Sequence, residues 1–191
     1  MATVAVVYHS GYGHTAALAN EVAAGIKRAG GTANVIKLES AEQDFSAALD
    51  AVSAADAVIF GSPTYMGDVS VPMRAFFVAS SKIWFTGGWK DKLAAGFTVG
   101  ATFGGNKDHT LGSMWVLSMQ HGMLWAGSGV PNAQINRNTD AGTNVPNRIG
   151  SALGVVTQAD NAAPDVTPPE GDREFARLLG ERIAKLAAKL K

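Results

Sequence analysis

Cysteine is absent from the 191 residues, which excludes disulfides, thiol catalysis, iron–sulfur clusters and thiolate metal sites. Net charge is missing too. Sixteen Lys and Arg balance sixteen Asp and Glu, so there is no electrostatic footprint for nucleic acid or an anionic membrane. The longest stretch without a charged residue, between Asp108 and Arg137, is broken throughout by Gly, Ser, Gln, His and Asn. It reads as a buried or interface helix running into a central strand rather than as a membrane span. The four histidines His9, His14, His109 and His121 show no paired spacing with carboxylates, so no metal site is expected. A strand begins almost at Met1, leaving no room for a secretory leader, and the cytoplasm is the expected address.

What is present is an alternation of apolar runs and helix-period segments. The expected strands are Val4–Tyr8, Ala33–Leu38, Ala57–Phe60 and Ala94–Val99, with a final one around Met123–Trp125 or Leu153–Val156. Several are apolar at consecutive positions, as parallel strands buried on both faces are. Between them a first helix carries Leu18, Val22 and Ile26 and stops at Gly30-Gly31. A second presents Phe45, Leu49 and Val52. A third starts near Ser70 with Pro72 in its first turn and buries Met73, Phe76 and Phe77. A fourth covers Leu111 to Gln120, with Trp115 and Met119 at helical spacing for core or subunit contact. The last opens on Thr167-Pro168-Pro169-Glu170, which reads as a capping box, and carries Phe175, Leu178, Leu179, Ile183, Leu186 and Leu190. Five βα units make an α/β, doubly wound parallel sheet in one domain over residues 1–191. The Gly/Asn/Pro-rich stretch Gly127–Pro146 reads as a long surface excursion.

In an open parallel sheet the ligand lies beyond the carboxyl ends of the strands. Three loops leave such ends: Ser10-Gly11-Tyr12-Gly13-His14-Thr15, Gly61-Ser62-Pro63-Thr64-Tyr65-Met66-Gly67, and Gly100-Ala101-Thr102-Phe103-Gly104-Gly105. The first joins a strand to a helix through small residues, aiming backbone N–H groups and a positive helix end at one point, which is a phosphate site. It holds no Lys or Arg, and the Gly-Lys-Ser/Thr ending of a Walker A loop is missing. All three loops mix glycine, hydroxyls and an aromatic or two. That suits a flat heterocycle with a phosphate tail, a flavin or another phosphate ligand, with Tyr65 and Phe103 offering ring faces or edges. For His14 a bond to phosphate and a surface position are equally open. His121 ends the fourth helix, where any histidine is favoured by the helix dipole. Trp84 and Trp89, flanking a Gly-Gly turn, can be ordinary packing aromatics.

The segments Val7–Thr15, Ile59–Gly67 and His121-Gly122-Met123 resemble the signatures of the flavodoxin-like NAD(P)H:quinone oxidoreductases, the WrbA-type group also called Trp-repressor-binding proteins. The resemblance runs from residue 1 to the last helix, in order and with similar spacing. It implies a flavodoxin-like three-layer fold, a five-stranded parallel sheet of order 2-1-3-4-5, and non-covalent FMN. Ser10, Gly11, Tyr12, Gly13, His14 and Thr15 would hold its phosphate. Pro63, Thr64, Tyr65, Met66 and Gly67 would line the ring, as would Gly100, Ala101, Thr102, Phe103, Gly104 and Gly105. His121 would lie beside the flavin as the catalytic residue. Tyr12, Trp84 and Phe103 would bound the substrate site, Trp84 coming from a neighbouring subunit of a homodimer or homotetramer. Tyr65 stands where many relatives carry Arg, and the chain between the second and third strands is shorter than in many of them.

The activity implied is transfer of a hydride from NADH or NADPH to FMN, then of two electrons to a quinone, one open face being used twice in a ping-pong cycle. A one-electron carrier of the flavodoxin type and a non-catalytic FMN-binding protein are the alternatives. True flavodoxins are strongly acidic, and this chain is neutral. A receiver-type signalling domain shares the topology but needs an acidic cluster where this chain has Ser10.

Overall fold

The computed structural model describes residues 1–133 and 142–191. Residues 134–141, inside the expected excursion, lie outside the described residues. The strands are β1 (Thr3–His9), β2 (Thr32–Leu38), β3 (Ala57–Pro63), β4 (Leu93–Gly100), β5 (Leu124–Trp125) and β6 (Val155–Gln158). The helices are α1 (His14–Arg28), α2 (Ser46–Ala54), α3 (Val71–Ala79), the short α4 (Ser81–Trp84), α5 (Lys107–Gln120) and α6 (Glu170–Leu190). The strands form one parallel sheet in the order β2-β1-β3-β4-β5, with β6 also paired to β4.

The two alternatives for the final strand are both real. β5 pairs with Leu93 and Ala94 at the start of β4, and β6 pairs with Phe97 through Gly100 at its end. They are two halves of one strand position, interrupted by the excursion. Its entry and exit are zipped together: Ser128 N–H donates to Ala152 O (3.0 Å) and the Trp125 indole N–H to Leu153 O (2.8 Å).

Alternation along the strands splits the interior into two layers. Val4, Val6 and Tyr8 of β1 face α1 and α6, with Leu18, Val22, Phe175 and Ile183. Ala5 and Val7 face the other way, into a layer with Leu49, Met73, Phe76, Trp89 and Met114. β2 is the edge strand, so most of its residues stay at least partly exposed. On the first face α1 and α6 approach backbone to backbone. A Cβ on Gly25 would lie 1.9 Å from Arg177 O, and one on Gly180 would lie 2.1 Å from Val22 O. Only glycine permits that crossing, which locks the two helices together.

Three expectations are corrected. The box at Thr167–Glu170 does not form: α6 begins at Glu170 with no side-chain cap, and Thr167 Oγ1 instead accepts from Asp160 N–H (3.3 Å). α5 starts earlier than expected because Lys107, despite its charge, is buried at its head. Trp115 and Met119 are not core but lie on the exposed face of that helix, where a subunit contact would form, and Leu111, Met114 and Ser118 fill its inner side. Among the described residues no helix is long and apolar enough to cross a membrane.

Candidate functional site

The carboxyl ends of β1, β3, β4 and β6 converge on a cleft of about 430 Å3. Gly13, at φ 92°, turns the chain from β1 into α1, a conformation that favours glycine. Ser10 Oγ then accepts two N–H groups of the loop, from Gly13 (3.1 Å) and Ala16 (3.2 Å). The phenol of Tyr65 accepts the Gly11 N–H, and its oxygen lies 2.4 Å from where a Gly11 Cβ would be. This leaves the N–H groups of Tyr12, His14 and Thr15 without an acceptor among the described residues. The first turn of α1 carries no acidic residue. Free amides, a helix start and no competing carboxylate in that turn make an anion site.

The walls are uncharged along most of their length. Tyr12, His14, Thr15, Pro63, Thr64, Tyr65, Gly100 and Ala101 line the cleft. Thr64 is held from behind by an ordered hydroxyl chain. Thr98 Oγ1 donates to Ser62 O (2.7 Å) and so must accept from Thr64, which in turn accepts from Thr110 (2.8 Å at both contacts). The Tyr65 backbone is pinned by a reciprocal pair of hydrogen bonds with Asp68, and its ring meets Tyr12 edge-on at 6.3 Å. Burial, with Tyr12 alongside, pushes the Tyr65 phenol up, while the Gly11 N–H pulls it down. A cleft of this size, lined by rings, glycines and hydroxyls and ending in free amides, fits a planar heterocycle with a phosphate tail.

The third loop is divided between two cavities. Gly100 and Ala101 face the cleft, but Phe103, Gly104 and Gly105 line a separate cavity of about 460 Å3 with Asn106–His109 and Ile149–Ser151. The guanidinium of Arg148 lies 5.4 Å from the Phe103 ring centroid and holds it there. Thr102 is exposed and lines neither cavity, while Met66, fully exposed on the tip of the second loop, lines an adjoining open hollow with Gly11, Tyr12, Thr64 and Tyr65.

Trp84 and His121 lie at the opposite end of the sheet. Gly122 O accepts from Asp91 N–H just before β4 begins, so His121 sits roughly 20 Å along the strand direction from Gly100. Its ring is buried against Trp89 at 4.5 Å between centroids, and its Nε2 is 2.9 Å from Ser80 Oγ. Ser80 gives its only proton to Phe77 O (2.7 Å), so His121 must donate through Nε2–H. Nδ1 is then a bare, buried nitrogen with no partner among the described residues. Burial holds the ring below the usual imidazole range. Trp84 is half-exposed and stacks edge-on with Phe85 at 5.1 Å.

Sequence reasoning missed one wall of the cleft. Val99 and the segment Ala159, Asp160 and Asn161, which follows β6, complete the lining. The rule that each strand's carboxyl end contributes a loop would have found them had Leu153–Val156 been accepted as a strand. Behind that wall lies a buried ion pair, Arg148 Nε to Asp172 Oδ1 at 2.8 Å, whose Asp172 Oδ2 also accepts from Gln158 N–H (2.9 Å). Gln158 Nε2 donates on to Ala101 O (3.1 Å). Lys107 donates to Thr157 O (2.7 Å) beneath Gly100, and burial brings its ammonium down to about 8 against the pull of Asp172. No group of His, Asp and Glu among the described residues is arranged to hold a metal ion.

Comparison with known proteins agrees with the fold. Residues 6–107 match the family model described as flavodoxin. Flavodoxin FldP of Pseudomonas aeruginosa is 35% identical over 190 residues, covering 100% of this chain and 99% of the relative. A protein of Azorhizobium caulinodans named NAD(P)H dehydrogenase (quinone) is 33% identical over 205 residues, with 100% and 99% covered. A solved WrbA-like flavodoxin from Agrobacterium tumefaciens superposes with a TM-score of 0.76 at 34% identity, over 100% of both chains.

Proposed function

The chain belongs to the flavodoxin family, in its WrbA-type NAD(P)H:quinone oxidoreductase group, and from that membership we propose that it is an FMN-dependent NAD(P)H dehydrogenase (quinone). The observation that carries the reading is the set of free amides at Tyr12, His14 and Thr15, opening onto an uncharged, ring-lined cleft of about 430 Å3. FMN held there by the Ser10–Thr15 loop would supply the redox chemistry, hydride acceptance from NADH or NADPH and two-electron delivery to a quinone.

The chain's own residues divide the remaining work. The amides of the Ser10–Thr15 loop, shaped by Ser10 Oγ, hold the phosphate without a covalent bond. Pro63, Thr64 and Tyr65 on one side and Gly100 and Ala101 on the other bracket the ring, with Thr64 fixed by Thr98 and Thr110. Tyr12, largely exposed at the mouth, bounds the face where nucleotide and quinone take turns, and a single face used twice gives ping-pong kinetics. His121 is left out of the proton transfers, because its one N–H is given to Ser80 and its free nitrogen is sealed inside. Trp84 and the exposed Phe85 reach a cleft only in an assembly, so a homodimer or homotetramer is part of the proposal. So are a cytoplasmic address and one flavodoxin-like domain over residues 1–191.

The test is direct. FMN-loaded protein should oxidise NADH or NADPH with benzoquinone as acceptor, giving parallel double-reciprocal lines. Failure to oxidise either nucleotide ends the enzymatic reading. The full-length similarity to a protein named flavodoxin favours a second reading, a one-electron carrier. A one-electron-reduced stage that persists through a redox titration, with no direct oxidation of nucleotide, would select it.

A further inference from the structure

Gln158, the last residue of β6, is not part of the cleft lining, yet its side chain grips two residues that are. Its Nε2 donates to Ala101 O (3.1 Å) and to Asp160 Oδ1 (3.2 Å), which uses both protons of the NH2 group. Its Oε1 accepts from Arg148 Nη2 (3.3 Å), and its backbone N–H donates to Asp172 Oδ2 (2.9 Å). These partners fix which way the amide points, since a carbonyl and a carboxylate accept and a guanidinium only donates. Arg148 and Asp172 are themselves buried and joined at two points, Nε to Oδ1 (2.8 Å) and Nη2 to Oδ2 (3.0 Å). Gln158 is thus braced from behind by an ion pair and reaches forward to two walls of the cleft, the third loop and the segment after β6.

Two oxygens bound by one nitrogen lie close together, so the Asp160 carboxylate stands beside Ala101, at the end of the cleft where the ring is bracketed. One oxygen carries a full negative charge and the other the negative end of a dipole. Both are bonded to a group outside the lining. Reduction adds negative charge to a flavin, and oxygens of this kind oppose it when they face the ring. From this arrangement we infer that Gln158 is a positioning residue for the redox group: it holds the Ala101 carbonyl and the Asp160 carboxylate back from the ring, so that the cleft favours reduced over oxidised FMN. The inference rests on reading the cleft as the FMN site. No other described side chain holds either oxygen. Arg148 is spent on Asp172, Gln158 and the Phe103 ring, and Lys107 on Thr157 O. Thr167 reaches Asp160 only at its backbone N–H.

The experiment is a redox titration of the FMN-loaded full chain against a reference dye, run as a double-variant cycle with Asp160→Asn. Gln158→Met keeps the length of the side chain and removes its hydrogen bonds. It should cut the preference for reduced FMN about tenfold, which lowers the two-electron midpoint potential by about 30 mV. Asp160→Asn alone should change the potential little, because the carboxylate is already held back. Added to Gln158→Met it should recover most of the loss, because the released group no longer carries a charge. Gln158→Asn, too short to reach both oxygens, should shift the potential in the same direction as Gln158→Met, and urea midpoints check that each variant folds. Potentials unchanged from wild type in both Gln158 variants overturn the proposal and leave the cleft reading intact. So does an Asp160→Asn effect of equal size with and without Gln158, since the two residues would then act independently. A wild type that binds no FMN removes the cleft reading and this inference together.

Discussion

Helices α1 and α6 lie against each other on one face of the sheet, yet they begin in opposite ways. The first turn of α6 is filled with the chain's own carboxylates: Glu170 pairs with Arg177, and Asp172 with Arg148 and the Gln158 N–H. The first turn of α1 holds no acid, and its amides face a cleft. Helix starts attract negative charge in both cases. One is satisfied from within, and the other opens onto the cleft that we propose holds the phosphate. An unfilled helix start beside a well-filled one therefore marks a binding site more sharply than a glycine-rich loop does.

Breaking the filled end should have the largest effect. Asp172→Ala strands Arg148 in the interior, and unfolding in urea should show a loss of about 3–5 kcal/mol. A small loss, under about 1 kcal/mol, would mean that the pair is not buried in solution. Converting the open end into a filled one comes next. Ser10→Asp puts a carboxylate where Ser10 Oγ accepts from Gly13 and Ala16, so stability should hold or rise by about 0.3–1 kcal/mol. FMN affinity, followed by flavin fluorescence, should fall about a hundredfold or more through charge repulsion, equivalent to about 3 kcal/mol. Unchanged affinity would show that α1's start does not hold the phosphate.

The smallest effect sharpens the contrast from outside both helices. His121, remote from the cleft, is buried neutral, and its folded-state value lies below that of the unfolded chain. Between those two values the unfolded chain binds more protons, so stability is full above about pH 6.5 and declines as pH falls. His9, also depressed by burial, adds to the same slope. In His121→Gln the acid decline in chemical-denaturation midpoints should become shallower while FMN affinity stays unchanged. A slope identical to wild type would show that His121 does not titrate on unfolding.

The sheet was legible because consecutive apolar residues such as Val4–Val7 and Ala57–Phe60 are buried on both faces, and period and burial agree there. The fifth strand was not, because the chain leaves it after Trp125 and returns at Val155, and neither short run outweighs the other. The turn from β1 into α1 was readable from Ser10-Gly11-Tyr12-Gly13 because small residues between a strand and a helix allow few conformations. Asp160 and Asn161 were hidden, as polar residues in a loop without periodicity carry no signal until β6 is known. His121 ends the fourth helix, as its place in the sequence suggested, but its distance from the cleft and the position of Phe103 lay beyond sequence reasoning. What holds each ring is a partner distant in the chain, Ser80 for one and Arg148 for the other.

The break between β5 and β6 makes the molecule a ready host for grafting. Its two margins are bonded to each other and to β4 on either side, and between them Arg148 pairs with Asp172, so an insertion ahead of Arg148 that spares this pair leaves the anchors in place. Doubling the length of a flexible connection costs only about 0.6 kcal/mol, so a reporter module spliced in there should leave the scaffold standing.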